Sequence, residues 1–246
     1  MSARIQADGE APVTVWWAWC SRARPLDEDS LSSLSPRERA RVDRLHRDDD
    51  RERSALGRVL LRAALGRRLG VDPGSVELDW EHGPSLDPRH GVWASMAHSR
   101  DGVTVAVSTA GPVGVDLESF ERAHDLHRQV RERVFTQRER DDLAALPQER
   151  RGVAAVELWT VKEAVLKAAG GRLVHPPASV EVHRNGGPPR LVGFEQRRDL
   201  IDGARLSVLQ PPKGADPGYV ATVAVIGAAG DGDFEVASYD GAALLR

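Results

Sequence analysis

Apolar and polar positions alternate over several short stretches of the chain, a pattern typical of β-strands. The first, VTVWWAW (Val13–Trp19), is rich in β-branched and aromatic residues and predicts a buried or half-buried strand. The runs GVTVAVS (102–108) and GVDLE (114–118) predict two further strands, separated by a Gly-Pro turn. Towards the C-terminus, three strands of one antiparallel sheet are predicted for the stretches SVEVHR, RLSVLQ and YVATVAVIG.

Helical patterns fill much of the remaining sequence. The segment SPRE (35–38) predicts a helix start, because its serine can cap, its proline suits the first turn and its glutamate completes a capping box. Apolar residues recur at helical spacing from 56 to 64, and Gly70 ends that second helix. A third helical region is predicted from about Asp125 to Leu146.

The final helical region follows Pro147 and includes ELWTVKEAVLKAAG (157–170). Part of it, EAVLKAAGGRL (163–173), resembles RVLLRAALGRRL (58–69) when one residue is gapped. Each half of the chain also carries a Val-rich strand, so the pattern favours, weakly, a duplicated architecture. The tail beyond Gly227 is rich in Gly and Asp and predicts only a weak final element.

Composition places the chain among soluble globular proteins and narrows its partners. Hydrophobic residues make up 41% and charged residues 29% of the 246 positions, which is ordinary for such proteins. A net charge of −3 argues against a general attraction to nucleic acid or membranes. The N-terminal stretch lacks the pattern of a signal peptide, and the single cysteine, Cys20, excludes an internal disulfide framework. We therefore expect a cytoplasmic protein.

The distribution of basic residues is uneven. The chain has 34 basic residues, of which only Lys162, Lys167 and Lys213 are lysines, and two of these lie five positions apart around Glu163. This scarcity suggests that the paired lysines are retained for their chemistry. Residues 36–68 carry 11 Arg against 6 Asp and Glu. This excess of arginine is consistent either with a solvated helix face that carries ion pairs or with a site for an anion.

Three carboxylates are candidates for a metal site. The strand period of two puts Asp116 and Glu118 on one face of the predicted strand, and helical spacing puts Glu163 and Lys167 on one face of the predicted helix. Oxygen ligands of this kind suit a hard divalent cation such as Mg²⁺. Two simpler interpretations remain open at this point: a half-exposed strand with its polar side in water, and an ordinary surface salt bridge.

The order of several motifs resembles that of the 4′-phosphopantetheinyl transferases of the surfactin-synthetase-activating (Sfp-like) type. These motifs are SPRERARVDRL, ALGRVLLR, MAHS, GVDLE, WTVKEAVLKAAG and DPGYVATVAV. The resemblance covers roughly residues 13–226, and its most specific part is GVDLE followed some 40 residues later by WTVKEAVLK. It implies an α+β fold in which two similar halves, 1–113 and 114–246, each pack an antiparallel sheet with helices. Coenzyme A would bind in the cleft between them.

The resemblance also implies a reaction and partners. Family members transfer the 4′-phosphopantetheine arm of coenzyme A to a serine of an apo carrier protein and release adenosine 3′,5′-bisphosphate. The carriers would be peptidyl or acyl carrier domains of peptide synthetases, polyketide synthases or fatty acid synthase, serving mainly secondary metabolism. The enzyme would be a monomer that requires Mg²⁺, with Mn²⁺ as an alternative metal.

Matching the motifs residue by residue gives an expected site. Glu163 would act as the catalytic base and Lys167 would assist at the phosphates. The metal ligands would be Asp116, Glu118 and Glu163; the coenzyme A ligands would be Arg41, Arg53, Ser54, His98, Lys162 and Lys167. Where many family members carry a lysine ahead of the histidine, Gly83 is followed directly by Pro84, which predicts an altered affinity for coenzyme A.

Two other functions are compatible with these residues. A chain of the same fold could bind coenzyme A or a carrier protein without turnover, although the full set of carboxylates argues against this. Alternatively, water could replace the carrier serine in a metal-dependent pyrophosphate hydrolase. Cleavage of coenzyme A in the absence of a carrier would distinguish the hydrolase.

Overall fold

The computed structural model describes residues 11–21, 26–81, 83–122, 131–170, 175–184, 187–227 and 235–245. Its strands are β1 Val13–Trp19, β2 Trp93–Ser99, β3 Gly102–Ser108, β4 Val113–Ser119, β5 Val180–His183, β6 Arg190–Phe194, β7 Arg205–Leu209, β8 Tyr219–Val225 and β9 Val236–Asp240. Its α-helices are α1 Glu28–Ser32, α2 Pro36–Asp43, α3 Asp48–Leu69, α4 Arg131–Val134, α5 Gln137–Ala145 and α6 Gln148–Ala168.

Contacts divide the chain into two units. Unit 1 contains Met1–Thr109 and Glu235–Arg246, and unit 2 contains Ala110–Phe234. Each unit combines a long helix with antiparallel strands, so the predicted α+β class is confirmed. The two predicted functional halves, 1–113 and 114–246, stay a prediction.

Unit 1 is built on a four-stranded sheet in the order β2-β3-β1-β9. Strand β3 pairs antiparallel with both β2 and β1, whereas β9 pairs parallel with β1. The tail, predicted to hold only a weak element, therefore supplies a strand of the N-terminal sheet. The pairing of β9 with β1 is long-range and parallel, so no turn pattern in the sequence predicts it.

Helix α3 packs on the sheet of unit 1. Its apolar residues, among them Leu56, Leu60 and Leu65, share a core with Trp16 of β1 and Val105 of β3. The helix ends where the sequence predicts, because Gly70 adopts the left-handed conformation with φ of 69°. The predicted start of α2 is also confirmed, since Ser35 and Glu38 form both hydrogen bonds of a capping box.

Unit 2 contains a three-stranded antiparallel sheet in the order β4-β8-β7 and a separate hairpin of β5 and β6. Helix α6 packs against β4, β8 and β5. The prediction that SVEVHR, RLSVLQ and YVATVAVIG form one sheet is therefore wrong in part. SVEVHR contributes β5, which pairs with the unpredicted β6, while GVDLE supplies β4 as the third strand of the main sheet.

Two further boundaries differ from the sequence pattern. The segment MAHS (96–99) forms the end of β2, a strand that the patterns described above do not include. The helical pattern predicted from Asp125 to Leu146 is interrupted at Thr136, whose side chain caps α5 through a second capping box with Glu139. Residues 125–130 of that pattern lie outside the described residues.

Candidate active site

Strand β4 presents two carboxylates on the face that meets α6. Gly114, Asp116 and Glu118 alternate along the strand, so their side-chain positions share one face, with Val115 and Leu117 on the other. Both faces are covered, and Asp116 and Glu118 are only 8% and 6% exposed. The simple interpretation of a strand with its polar side in water is therefore wrong. Two neighbouring buried carboxylates repel each other and need compensating positive charge.

Helix α6 meets these carboxylates with a stripe of residues spaced four apart. The Lys167 ammonium donates to Asp116 Oδ1 at 2.8 Å and to the Val115 carbonyl at 2.9 Å. Eight residues earlier, Trp159 Nε1 donates to Glu118 Oε1 at 3.2 Å. The helix therefore runs antiparallel to β4. Glu163 lies midway between these two contacts on the same helix face and is 2% exposed.

The close approach of α6 to β4 depends on Gly114. A Cβ atom at this position would lie 2.0 Å from the Ala164 carbonyl oxygen and 2.6 Å from the Ala168 nitrogen. Only glycine lets the helix backbone come this near to the strand. The packing of α6 on β4 therefore explains why GVDLE begins with glycine. This close packing brings side chains of α6 within reach of Asp116 and Glu118.

Lys167 neutralises a carboxylate of β4 across the interface between the two elements. Its side chain is 26% exposed and that of Asp116 is 11% exposed, so the pair lies at the edge of the buried region. The interpretation of Lys167 as half of an ordinary surface salt bridge is therefore wrong. An ammonium has three N–H donors, and the two contacts above use two of them. Among the described residues no further acceptor takes the third.

The chemistry of the three carboxylates fits a hard divalent cation, because such ions take carboxylate oxygens as ligands. Within the described ranges, no three His, Cys, Asp or Glu side chains are already grouped as a cation-binding cluster. Lys167 and Trp159 instead engage Asp116 and Glu118. The backbone of β4 and α6 places all three carboxylates on facing surfaces, so rotation of side chains would be needed to gather them around an ion.

Lys162, the other clustered lysine, lies on a different face of α6, about 100° around the helix axis from Glu163. It is fully buried and forms an ion pair with Glu139 of α5, and its ammonium lies 5.9 Å from the centre of the Phe135 ring. Glu139 also accepts from the backbone N–H groups of Thr136 and Val182, at 2.8 and 2.9 Å. Burial lowers the pKa of Lys162, and the charge of Glu139 opposes that shift.

These contacts join α6, the cap of α5 and β5 through one buried charge pair. Removing either partner would leave an uncompensated charge in the core of unit 2. Geometry thus favours a positioning role for Lys162, although its assignment to coenzyme A stays a prediction. No motif or spacing in the sequence predicts this pairing, because the partners are 23 residues apart on separate helices.

The expected coenzyme A ligands of unit 1 have different environments. His98 on β2 and Arg41 on α2 are exposed. Arg53 is engaged within the protein, since it forms an ion pair with Asp50 and donates to the Arg100 carbonyl. The roles of these residues stay predictions.

Sequence reasoning missed a buried polar network beside them. Glu38 Oε2 accepts from Arg62 Nε at 2.8 Å, and Glu38 Oε1 accepts from Trp80 Nε1 at 3.1 Å. The Arg58 guanidinium lies over the Trp80 ring, 4.8 Å from its centre, and donates to the Ser54 carbonyl and hydroxyl oxygens. Burial lowers the pKa of Arg58, and the charge of Arg41 lowers it further. The only signal in the sequence was the local excess of arginine.

Comparison with known proteins finds similarity to one family, and the match to its family model lies in unit 2. Residues 112–224 match the family model of the 4′-phosphopantetheinyl transferase superfamily. The 4′-phosphopantetheinyl transferase HetI of a Nostoc species is 36% identical over 157 residues, which cover 59% of this chain and 66% of HetI. The transferase Sfp of Bacillus subtilis is 28% identical over 174 residues, covering 66% of this chain and 75% of Sfp. The match to HetI thus spans just under two thirds of that protein.

A solved structure of a holo-(acyl-carrier-protein) synthase from Bacillus anthracis, in complex with CoA (3′,5′-ADP), also resembles the chain. It is 22% identical, with a TM-score of 0.39, and the match covers 48% of this chain and 95% of that one.

Proposed function

We propose that this chain is a member of the 4′-phosphopantetheinyl transferase superfamily, to which its sequence is similar, and that it transfers the 4′-phosphopantetheine arm of coenzyme A to a serine of an apo carrier protein. The observation that supports this most strongly is the arrangement of β4 and α6. Three carboxylates and the partly exposed Lys167 lie on the facing surfaces of the two elements, where Gly114 brings them close together. The carriers are apo peptidyl or acyl carrier proteins.

The reaction exchanges one phosphorus–oxygen bond for another. The serine hydroxyl oxygen bonds to the phosphorus that bears pantetheine, and the bridging oxygen leaves with adenosine 3′,5′-bisphosphate. The serine proton must be accepted as the bond forms. Glu163 is the carboxylate proposed for this role, because it lies on the same face of α6 as Trp159 and Lys167, which contact Glu118 and Asp116.

Charge at the phosphates must also be balanced. Mg²⁺ held by Asp116, Glu118 and Glu163 would supply positive charge against the pyrophosphate. Lys167 adds a fixed ammonium, whose third N–H can donate to a phosphate oxygen while Asp116 and Val115 orient it. Mg²⁺ dependence, with Mn²⁺ as a substitute, and a monomeric cytoplasmic enzyme belong to the same proposal.

Intact-protein mass spectrometry tests the proposal directly. The full chain is incubated with coenzyme A, Mg²⁺ and an apo peptidyl or acyl carrier, and a gain in carrier mass equal to one phosphopantetheine is expected. EDTA should abolish the gain and Mn²⁺ should restore it. A carrier whose acceptor serine is replaced by alanine is the matched control.

Each other outcome identifies a rival function. If coenzyme A binds but several carrier types gain no mass, the chain is a non-catalytic binding protein. If coenzyme A is cleaved when no carrier is present, with water as the acceptor, the chain is a pyrophosphate hydrolase.

A further inference from the structure

Asp116 on β4 is the proposed metal ligand that already touches a full positive charge. Its Oδ1 accepts from the Lys167 ammonium at 2.8 Å, and the carboxylate is buried. Glu118 meets a different kind of donor, since the indole N–H of Trp159 at 3.2 Å carries no net charge. A divalent cation that takes Asp116 as a ligand therefore has the Lys167 ammonium as a near neighbour, and the two repel each other.

The Lys167 ammonium is held beside Asp116 by more than the carboxylate itself. It also donates to the Val115 carbonyl of β4 at 2.9 Å, an acceptor that belongs to the backbone of a paired strand. Lys167 lies in the last turn of α6, where the helix dipole favours a positive charge. These interactions do not depend on Asp116, so we expect the ammonium to stay near this carboxylate when a metal binds there.

The same ammonium is accessible to an anion. The side chain of Lys167 is 26% exposed, and its third N–H has no acceptor among the described residues. The pyrophosphate of coenzyme A, which the proposed reaction brings to this place, carries negative charge and can accept that N–H. A phosphate oxygen bound in this way offsets the charge of Lys167, so it also reduces the repulsion between the ammonium and a metal at Asp116.

We propose that Lys167 makes metal binding at Asp116 depend on the pyrophosphate of coenzyme A. Without that anion the ammonium weakens metal binding, and with it the opposition is relieved, so metal and coenzyme A strengthen each other's binding. This inference rests on the proposed function for the identity of metal and ligand. It makes a prediction of opposite sign to an orienting role, in which Lys167 would hold Asp116 in place for the metal and its loss would weaken metal binding.

Binding of Mn²⁺ to the full chain, followed by the electron paramagnetic resonance signal of the free ion, tests this sign. In the absence of nucleotide, Lys167→Met should bind Mn²⁺ about 10-fold more tightly than wild type, within the usual range of coupling between sites. Coenzyme A should strengthen Mn²⁺ binding to wild type, and this gain should be about 10-fold smaller in the variant. Coenzyme A with Mn²⁺ alone supplies the blank. Lys213→Met, an exposed lysine between β7 and β8, is the matched control and should match wild type.

Thermal unfolding provides a second readout, which separates metal binding from folding. Because Lys167→Met removes an ion pair of a buried carboxylate, the variant should unfold at a lower temperature than wild type when no metal is added. Mn²⁺ without nucleotide should then raise the unfolding temperature of the variant more than that of wild type. In an Asp116→Asn background, Lys167→Met should change Mn²⁺ binding much less, because the shared carboxylate is absent. An equal effect of Lys167→Met in both backgrounds would overturn the inference.

The two proposals can fail independently. If a carrier is modified but Lys167→Met weakens Mn²⁺ binding or leaves it unchanged, the inference fails and the transferase stands. If no carrier is modified but the variant binds Mn²⁺ more tightly and gains less from coenzyme A, the transferase fails and the coupling through Lys167 stands. If wild-type protein binds no Mn²⁺ either with or without coenzyme A, the inference is refuted.

Discussion

Asp116 and Glu163 are the side chains whose roles can be tested with the smallest changes. Glu163→Gln keeps the shape of the side chain but removes its charge, and Asp116→Ala removes a proposed metal ligand and the partner of Lys167. We expect each to lower the initial rate of carrier modification at least about 100-fold. Glu149→Gln, an exposed change in the first turn of the same helix, is the control. Near wild-type turnover of either variant at saturating Mg²⁺ would refute the shared-metal assignment.

Lys167→Arg tests the geometry of a single cation while preserving its charge. The Lys167 ammonium contacts Asp116 and the Val115 carbonyl from one compact centre. A planar guanidinium is longer and presents its donors in a fork, so it cannot reproduce these contacts and also reach a phosphate in the same place. We expect kcat/KM for coenzyme A to fall about 10–100-fold, measured by steady-state kinetics with an apo carrier. Full activity would show that the scarcity of lysine elsewhere was accidental.

At the level of elements, the contact between β4 and α6 is the most sensitive to a small change. In Gly114→Ala the added methyl group meets the Ala164 carbonyl oxygen at 2.0 Å, so the helix must move. We expect a loss of at least about 1–3 kcal/mol in the free energy of unfolding, measured by chemical denaturation, together with reduced activity. Gly187→Ala, where a Cβ atom meets open space, should change neither. A fully stable and active Gly114→Ala variant would contradict the close approach.

The cap of α2 makes stability depend on pH. Burial raises the pKa of Glu38, but hydrogen bonds from Arg62 and Ser35 outweigh burial, and the net pKa lies below its usual value of 4.5. The stabilisation is therefore present above that value and is lost as the pH falls through the lower pKa of the folded state. Glu38→Gln should make the fall in unfolding free energy from about pH 5 to pH 3 shallower. Acid titrations with Glu28→Gln as an exposed control would check this; equal slopes would contradict it.

Elements with local signals were predictable from the sequence, and those fixed by distant partners were not. The capping box of Ser35 and Glu38 and the stop at Gly70 depend on neighbouring residues, so the sequence predicts them correctly. The second role of Glu38, with Arg62 and Trp80, involves residues 24 and 42 positions away. No periodicity or motif encodes such a pairing. For the same reason, the sequence does not predict that Arg58 is buried.

At the scale of the whole molecule, the C-terminal strand β9 completes the sheet of unit 1. Strand β9 pairs with β1, Tyr239 stacks on Trp16 with ring centres 4.5 Å apart, and Trp17 Nε1 donates to Ser238 at 2.8 Å. Truncation after residue 234 should lower the thermal midpoint of unit 1 by at least about 5 °C and alter tryptophan emission. Ser238→Ala, which removes one hydrogen bond, should have a much smaller effect. An unchanged midpoint on truncation would contradict the structural importance of β9.

The parallel pairing of β9 with β1 also sets an order of events on the ribosome. The chain leaves unit 1 at Thr109 and returns at Glu235, so the first sheet lacks one strand while all of unit 2 is being synthesised. At about 5–20 residues per second this interval lasts on the order of 10 s. Throughout it, the apolar strand Val13–Trp19 has an unpaired edge, the kind of surface that invites aggregation with other nascent chains. Slow synthesis should therefore lower the yield of folded protein, and chaperones that shield strand edges should restore it.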